Sequence, residues 1–138
     1  MKNSHVIRVT AILLLFGAGI LSSCGVNVEF RTDLLTDGTW KIESLTSPDA
    51  DPAILAFSKA LLSLAEYDYS TNGTYEIIFA DTSFSADPGT WEFSDVGLLY
   101  LDRGTDDEQT LTIHELTKDN LEYTTTDSSG TYTFVWKH

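Results

Sequence analysis

The chain has 138 residues, of which 42% are hydrophobic, and its 21 Asp and Glu against eight Lys and Arg give a formal net charge of −13 at pH 7. This length suffices for one domain with its own core. So acidic a chain repels phosphate backbones, and its charge excludes nucleic acid as a partner.

The first 23 residues have the pattern of a secretory signal peptide. A basic head with Lys2 and Arg8 precedes an apolar run at residues 9–20, which is about half the length needed to span a bilayer. The exit of this run, "LSSC" at residues 21–24, resembles the bacterial lipobox, in which the cysteine becomes the acylated first residue of the mature chain. The alternatives are an ordinary signal peptide with a chance cysteine, or an uncleaved anchor.

Cys24 is the only cysteine of the sequence, so no disulfide can form within the chain, although an exported compartment would permit one. We expect lipidation of Cys24, with palmitate or a similar acyl chain, because two lipid signals already anchor a protein stably. The expected location is the cell envelope, at the outer membrane. Cleavage before Cys24 removes Lys2 and Arg8 and leaves six basic against 21 acidic residues, a net charge of −15.

Residues 24–36 show no clear period and no helix caps, which predicts a tether, and residues 37–138 are the predicted domain. Within the domain, hydrophobic and polar residues alternate, as in strands with one buried face. Asn72-Gly73 predicts a hairpin turn with positive φ at both positions. Pro88-Gly89 predicts a type II turn with a left-handed glycine. The predicted strands lie around residues 40–42, 67–70, 74–79, 91–93, 98–102, 109–116, 120–126 and 131–137.

A Gly-Thr-aromatic phrase occurs four times. The copies are Gly38-Thr39-Trp40, Gly73-Thr74-Tyr75, Gly89-Thr90-Trp91 and Gly130-Thr131-Tyr132. Glycine leaves the turn at a φ that few other residues tolerate, and β-branched threonine begins the strand. The aromatic residue is then the first that can reach inward. The uneven spacing argues against a repeat architecture, so these glycines are structural and bind no phosphate.

One segment has helical spacing. Asp51 is placed as an N-cap and Pro52 at the first helical position, which predicts a helix over about residues 52–66, between the first two strands. Leu55 and Leu62 widen its apolar stripe. The stripe itself is Ile54, Phe57, Leu61 and Leu64. We expect this stripe to cover the barrel opening as a lid, and the alternative is a brace on the outer wall.

Eight short antiparallel strands can close a barrel that is either filled with side chains or holds one small ligand. From about residue 35 onward, the chain resembles the lipocalin-like (calycin) domains of secreted bacterial lipoproteins. The resemblance rests on Gly38-Thr39-Trp40, "STNGTYEI" at 70–77, Gly89-Thr90-Trp91 before the strand at 98–101, and "LTIHELTKDNLEY" at 111–123. It implies an eight-stranded antiparallel up-and-down barrel with one inserted helix, whose lower end Trp40 closes. In lipocalins a basic residue late in the barrel often packs on this tryptophan, and here only Lys137 could supply it.

Two functions fit such a barrel. In the first, the interior binds a small apolar or amphipathic molecule; in the second, side chains fill the interior and the protein acts through its outer surface as an accessory or interaction domain. The residues predicted to face inward are Trp40, Ile42, Tyr75, Ile77, Phe79, Trp91, Phe93, Leu111, Ile113, Tyr123, Tyr132, Phe134 and Trp136. The nine aromatic residues of this set are the candidate ligand contacts, because buried tyrosine hydroxyls need partners.

No motif indicates catalysis. His114 and Glu115 are neighbours on a strand and so point to opposite faces, which prevents a dyad. In "HELTK", Lys118 stands where the zinc motif His-Glu-x-x-His has its second ligand. The triplet Asp106-Asp107-Glu108 lacks the spacing of a calcium loop. We therefore expect a non-catalytic monomer without cofactor or metal, whose partners are the membrane and a small apolar ligand.

Overall fold

A computed structural model describes residues 28–94 and 97–138. The predicted signal peptide, the lipobox and Cys24 lie outside the described residues. Within the two described ranges, no helix has the length and apolar character needed to cross a bilayer.

Eight strands form a closed barrel in which every neighbouring pair is antiparallel, and the last strand pairs with the first. The elements are α1 (Val28–Leu35), β1 (Thr39–Thr46), α2 (Pro52–Leu62), β2 (Ala65–Tyr69), β3 (Thr74–Phe79), β4 (Gly89–Phe93), β5 (Leu98–Leu101), β6 (Gln109–Leu116), β7 (Asn120–Asp127) and β8 (Gly130–Lys137). The predicted all-β, eight-stranded antiparallel barrel with a helix between the first and second strands is confirmed.

The alternating strands define two ends of the barrel. The β1–β2, β3–β4, β5–β6 and β7–β8 connections lie at one end, called the mouth here, and α2 belongs to the first of them. The other end is the closed end. Leu35, the last residue of α1, is fully buried there, and its carbonyl accepts a hydrogen bond from Trp40 Nε1 at 2.9 Å. The sequence pattern does not predict α1, because this helix has little amphipathic period and is held in place by the burial of Leu35.

The barrel wall is incomplete near the mouth. β1 pairs with β2 at Thr39 and Trp40, and its pairing with β8 continues to Thr46. Likewise β3 pairs with β4 at Thr74 and Tyr75. Near the mouth, therefore, β2 separates from β1, and β3 separates from β4. α2 packs beside β1 and β2 at one of these gaps, which leaves space inside the barrel below it.

The turn between β2 and β3 differs from the prediction at one residue. Gly73 has a φ of 85°, but Asn72 does not have a positive φ; within the described chain, Asp102 is the single non-glycine residue that does. The Gly73 amide donates to the Ser70 carbonyl, and the Thr74 amide donates to Asn72 Oδ1 at 3.0 Å. The predicted turn with two positive φ values is thus wrong at Asn72, whose side chain instead caps the start of β3.

Gly89 is also not left-handed, so the predicted type II turn is wrong. It begins β4 directly opposite Tyr75. A β-carbon at this position would overlap the Tyr75 ring. Glycine is needed here because the aromatic ring lies against the backbone, a use of glycine that depends on tertiary contact.

The start of α2 agrees with the prediction and its end does not. Asp51 has extended φ and ψ and accepts a hydrogen bond from the Ala53 amide at 2.7 Å, and Pro52 is the first helical residue. The helix ends at Leu62 rather than near residue 66, because Ala65 and Glu66 already pair with β3.

The buried core lies inside the barrel. Its buried members are Leu35, Trp40, Ile42, Ala65, Tyr69, Tyr75, Trp91, Leu99, Leu101, Leu111, Leu121, Tyr123 and Trp136. All thirteen residues predicted to face inward are buried or half-buried. The period-two alternation thus identified the inner face of these strands correctly.

Candidate ligand cavity

The barrel contains an open cavity of about 900 Å³ that reaches from the mouth into the interior. This volume lies in the range of about 300–1,000 Å³ that is typical of small-molecule sites. Its aromatic wall consists of Tyr67, Tyr75, Tyr123, Tyr132, Phe134 and Trp136. The exposed rim residues Glu108, Gln109 and Asp127 lie at the start of β6 and the end of β7, so the cavity opens at the mouth.

Five of the nine aromatic candidates meet in this cavity, and four do not. The five are Tyr75, Tyr123, Tyr132, Phe134 and Trp136. Trp91 instead donates its indole N–H to the Ser70 and Thr74 carbonyls, both at 3.0 Å, and Phe93 packs on its ring. Phe79 ends β3 beside Phe84. The fourth, Trp40, belongs to the closed end.

Trp40 closes the lower end of the barrel but has a different partner from the expected one. The ring of His138 lies 3.9 Å from the Trp40 ring, centroid to centroid. Lys137 points elsewhere, and its Nζ forms an ion pair with Glu43 at 3.4 Å. The expectation that Lys137 packs on Trp40 is therefore wrong. Successive side chains of a strand point to opposite faces, so Lys137, which follows buried Trp136, faces the outside of β8.

Tyr67 is not among the predicted cavity residues, but it lines the cavity and packs on Trp136 with ring centroids 4.9 Å apart. The alternation of Ala65, Tyr67 and Tyr69 along β2 carries the information that these three side chains share the inner face. Because the predicted helix extended to residue 66, it included Ala65, and the alternation along β2 was not recognised. The other missed wall residues include Leu45, Leu101, Thr110 and Thr125.

The tyrosines of the interior are held in the neutral form. Burial raises the pKa of Tyr67, Tyr69 and Tyr123 above the ordinary value. The pKa of Tyr75 is raised by burial and by its hydrogen bond to Asp102, whose Oδ2 accepts from the Tyr75 hydroxyl at 2.7 Å. A raised phenol pKa means that a negative charge is disfavoured at these positions.

The Trp136 indole N–H has no hydrogen-bond acceptor in the described part of the chain, although the side chain is only 3% exposed. Burial raises the pKa of the Tyr123 hydroxyl and the neighbouring Trp136 N–H lowers it, but the two groups do not meet hydrogen-bond geometry. Buried donors without partners are rare and call for an explanation. Among the described residues, one buried acceptor, Asn120 Oδ1 at the closed end, also lacks a partner.

Helix α2 lies at the mouth, and one side of it faces the cavity. Leu55, Ser58 and Leu62 are half-buried and line the cavity wall. The predicted stripe is not covered: Ile54 is 63%, Phe57 65%, Leu61 52% and Leu64 56% exposed. The expectation that all four pack on the barrel is wrong. The helix instead turns the row formed by Leu55 and Leu62 toward the cavity. Ile54 and Leu61 contact the cavity from its edge, and Phe57 points to solvent.

The remaining polar candidates lie on the surface. A β-bulge between Ile113 and Glu115 leaves both His114 and Glu115 exposed. His114 Nε2 lies 3.0 Å from Thr124 Oγ1, whereas Glu115 accepts from Asn120. In residues 28–94 and 97–138, no group of three or more His, Cys, Asp or Glu side chains is placed to hold a metal ion.

Comparison of the chain with protein-family models and with curated proteins gives no match. The class of the protein therefore follows from its geometry. The described chain is a closed eight-stranded antiparallel β-barrel with one end sealed by tryptophan packing and an aromatic cavity open at the other end.

Proposed function

We propose that this protein is an outer-membrane lipoprotein whose lipocalin-like barrel binds one small apolar or amphipathic molecule as a monomer. The observation that supports binding is the open aromatic cavity of about 900 Å³. A barrel that acted only through its outer surface would gain packing energy by filling this space with side chains. The accessory-domain alternative thus has less support. The exposed, hydrogen-bonded surroundings of His114 and Glu115 favour a non-catalytic role.

A matched pair of substitutions on β3 tests the proposal. Ile77 lines the cavity, whereas its neighbour Ile78 points outward and is 43% exposed. Ile77→Trp should occupy part of the cavity and weaken binding of the neutral fluorescent probe N-phenyl-1-naphthylamine by at least about tenfold, equivalent to about 1.4 kcal/mol. Ile78→Trp should bind the probe like the wild type. The measurement is a fluorescence titration, with circular dichroism to show that both variants are folded. Equal affinity in both variants, or no binding to any of the three proteins, would refute the proposal.

We infer that the predicted anchor lies at the opposite end of the molecule from the cavity. α1 crosses the closed end, where Arg31 lies against Gly97 and Leu35 is buried next to Trp40. Three residues lie between Cys24 and the start of α1, so the distance between the two is at most about 14 Å. A lipid on Cys24 would therefore hold the closed end toward the membrane and direct the mouth away from it.

Replacing Cys24 with serine tests the anchor. We expect Cys24→Ser to move the protein from the membrane fraction to the soluble or uncleaved pool, because the acylated thiol is lost. Ser23→Ala, which keeps a small residue before the cysteine, is the control and should stay with the membrane. A correctly processed Cys24→Ser protein that still fractionates with the membrane would disprove the lipoprotein assignment.

A further inference from the structure

One aromatic ring of the cavity wall is held by a carboxylate from another part of the barrel. The Tyr75 hydroxyl donates a hydrogen bond to Asp102 Oδ2 at 2.7 Å. Tyr75 lies on β3 and Asp102 directly follows β5, so the start of β4 lies between them. Tyr75 and Gly89 are the last pair that β3 and β4 form on the mouth side. The hydrogen bond therefore links β3 to the end of β5 at the level where the wall between β3 and β4 opens.

The carboxylate of Asp102 is itself fixed by the backbone of β4. Its Oδ1 accepts from the Thr90 amide at 2.8 Å, and the Asp102 amide donates to the Thr90 carbonyl at 2.8 Å. Asp102 has a φ of 51°, and no other non-glycine residue in the described ranges has a positive φ. Such a conformation persists only where its surroundings impose it. Asp102 thus presents Oδ2 to the Tyr75 hydroxyl from a fixed position.

The Tyr75 ring follows the barrel wall. Side chains of a strand stand roughly perpendicular to the sheet, so a long inward-facing side chain is expected to reach toward the barrel axis. The Tyr75 ring instead lies over Gly89, so closely that a β-carbon at that residue would overlap it. Tyr69 borders the ring from β2, with ring centroids 5.8 Å apart. The Tyr75 side chain is buried, and it forms part of the cavity lining.

We propose that Asp102 is a positioning residue of the ligand cavity, which keeps the Tyr75 ring in the wall and out of the space that the ligand occupies. This inference rests on the proposed binding function and identifies a residue that determines how large a ligand the cavity accepts. Asp102 is not one of the described residues that line the cavity, so it acts through Tyr75. Without this acceptor, the ring can turn into the cavity and compete with the ligand for space.

The first test removes the carboxylate and compares probes of two sizes. Glycine readily adopts a positive φ, so Asp102→Gly removes the carboxylate without straining the backbone. We expect this variant to bind N-phenyl-1-naphthylamine about three- to tenfold more weakly than the wild type, the effect of one lost hydrogen bond. The smaller probe 1-aminonaphthalene lacks the phenyl group and leaves room for a displaced ring, so its affinity should stay within about twofold. Asp106→Ala removes an exposed carboxylate from the same β5–β6 connection and is the control, which should bind both probes like the wild type.

Both affinities come from fluorescence titration, with circular dichroism to show that the variants are folded. An equal loss for the two probes, or no loss for either, would overturn the positioning role and leave the proposed binding function intact. If the wild type binds neither probe, the binding function and this inference both fail.

The second test shows whether Asp102 acts through Tyr75. Tyr75→Phe keeps the ring and removes the hydroxyl, so this change alone should reproduce the loss of N-phenyl-1-naphthylamine affinity seen in Asp102→Gly. In the Tyr75→Phe background, Asp102→Gly should then change this affinity by less than about twofold. Losses that multiply in the double variant would show that Asp102 affects binding independently of the Tyr75 hydroxyl, and would overturn the inference.

Discussion

Replacing Trp40 with alanine is expected to lower the free energy of unfolding by about 3–5 kcal/mol. The side chain is fully buried at the closed end, and its indole N–H satisfies the Leu35 carbonyl at 2.9 Å. Truncation removes the burial of a large ring, leaves a cavity and deprives a carbonyl of its donor. Trp91→Ala should behave similarly, because this ring is 8% exposed and bonds to two backbone carbonyls. Since a domain is typically stable by about 5–15 kcal/mol, either change threatens the fold.

Urea denaturation followed by circular dichroism measures this effect. Trp40→Phe keeps most of the ring and should cost about 1–3 kcal/mol through the unpaired carbonyl. Trp136→Phe is the matched control, because the indole N–H that it removes has no acceptor in the described structure. We expect it to cost less than Trp40→Phe. Losses of well under about 1 kcal/mol for both alanine variants would contradict the burial of these tryptophans.

Gly89→Ala is expected to destabilise the protein by about 1–3 kcal/mol through overpacking. Its φ would tolerate alanine, so backbone strain does not explain the cost. The new methyl group would overlap the ring of Tyr75, which is 8% exposed and fixed by its hydrogen bond to Asp102. Because Tyr75 also lines the cavity, displacement of the ring should change the cavity wall as well as the stability.

A double-mutant cycle isolates this contact. Tyr75→Leu removes the ring, so Gly89→Ala in the Tyr75→Leu background should cost less than about 0.5 kcal/mol. The free energies come from urea denaturation of the four proteins. Additive losses in the double variant would show that the cost at Gly89 arises elsewhere.

The strands were predictable because their information is local. Along β1 and β8, alternation alone places Trp40, Ile42, Phe134 and Trp136 on one face, and the structure buries or half-buries each of them. The turn at Asn72 and the role of Gly89 were not predictable in the same way. Several turn geometries accept Asn-Gly, and the need for glycine at residue 89 exists only once the Tyr75 ring packs against it.

The cavity could be predicted in part. Alternation assigns a residue to the inner face but not to a height in the barrel, so it could not separate Trp40, at the closed end, from Trp136, at the floor of the cavity. Nor could it give the rotation of α2, since two apolar rows of similar strength run along this helix. The structure directs Leu55 and Leu62 inward and leaves Phe57 exposed.

Native mass spectrometry of the Ile77→Trp and Ile78→Trp proteins, each mixed with an excess of a monoacylglycerol as a neutral amphiphile, tests the central proposal most directly. Ile77 lines the cavity and Ile78 faces outward, so the two variants differ in which side of the same strand carries the added ring. We expect one bound monoacylglycerol per chain in the wild type and in Ile78→Trp, and a bare polypeptide mass in Ile77→Trp. The same occupancy in all three proteins, whether full or zero, would contradict the proposal that this barrel binds its ligand in the cavity.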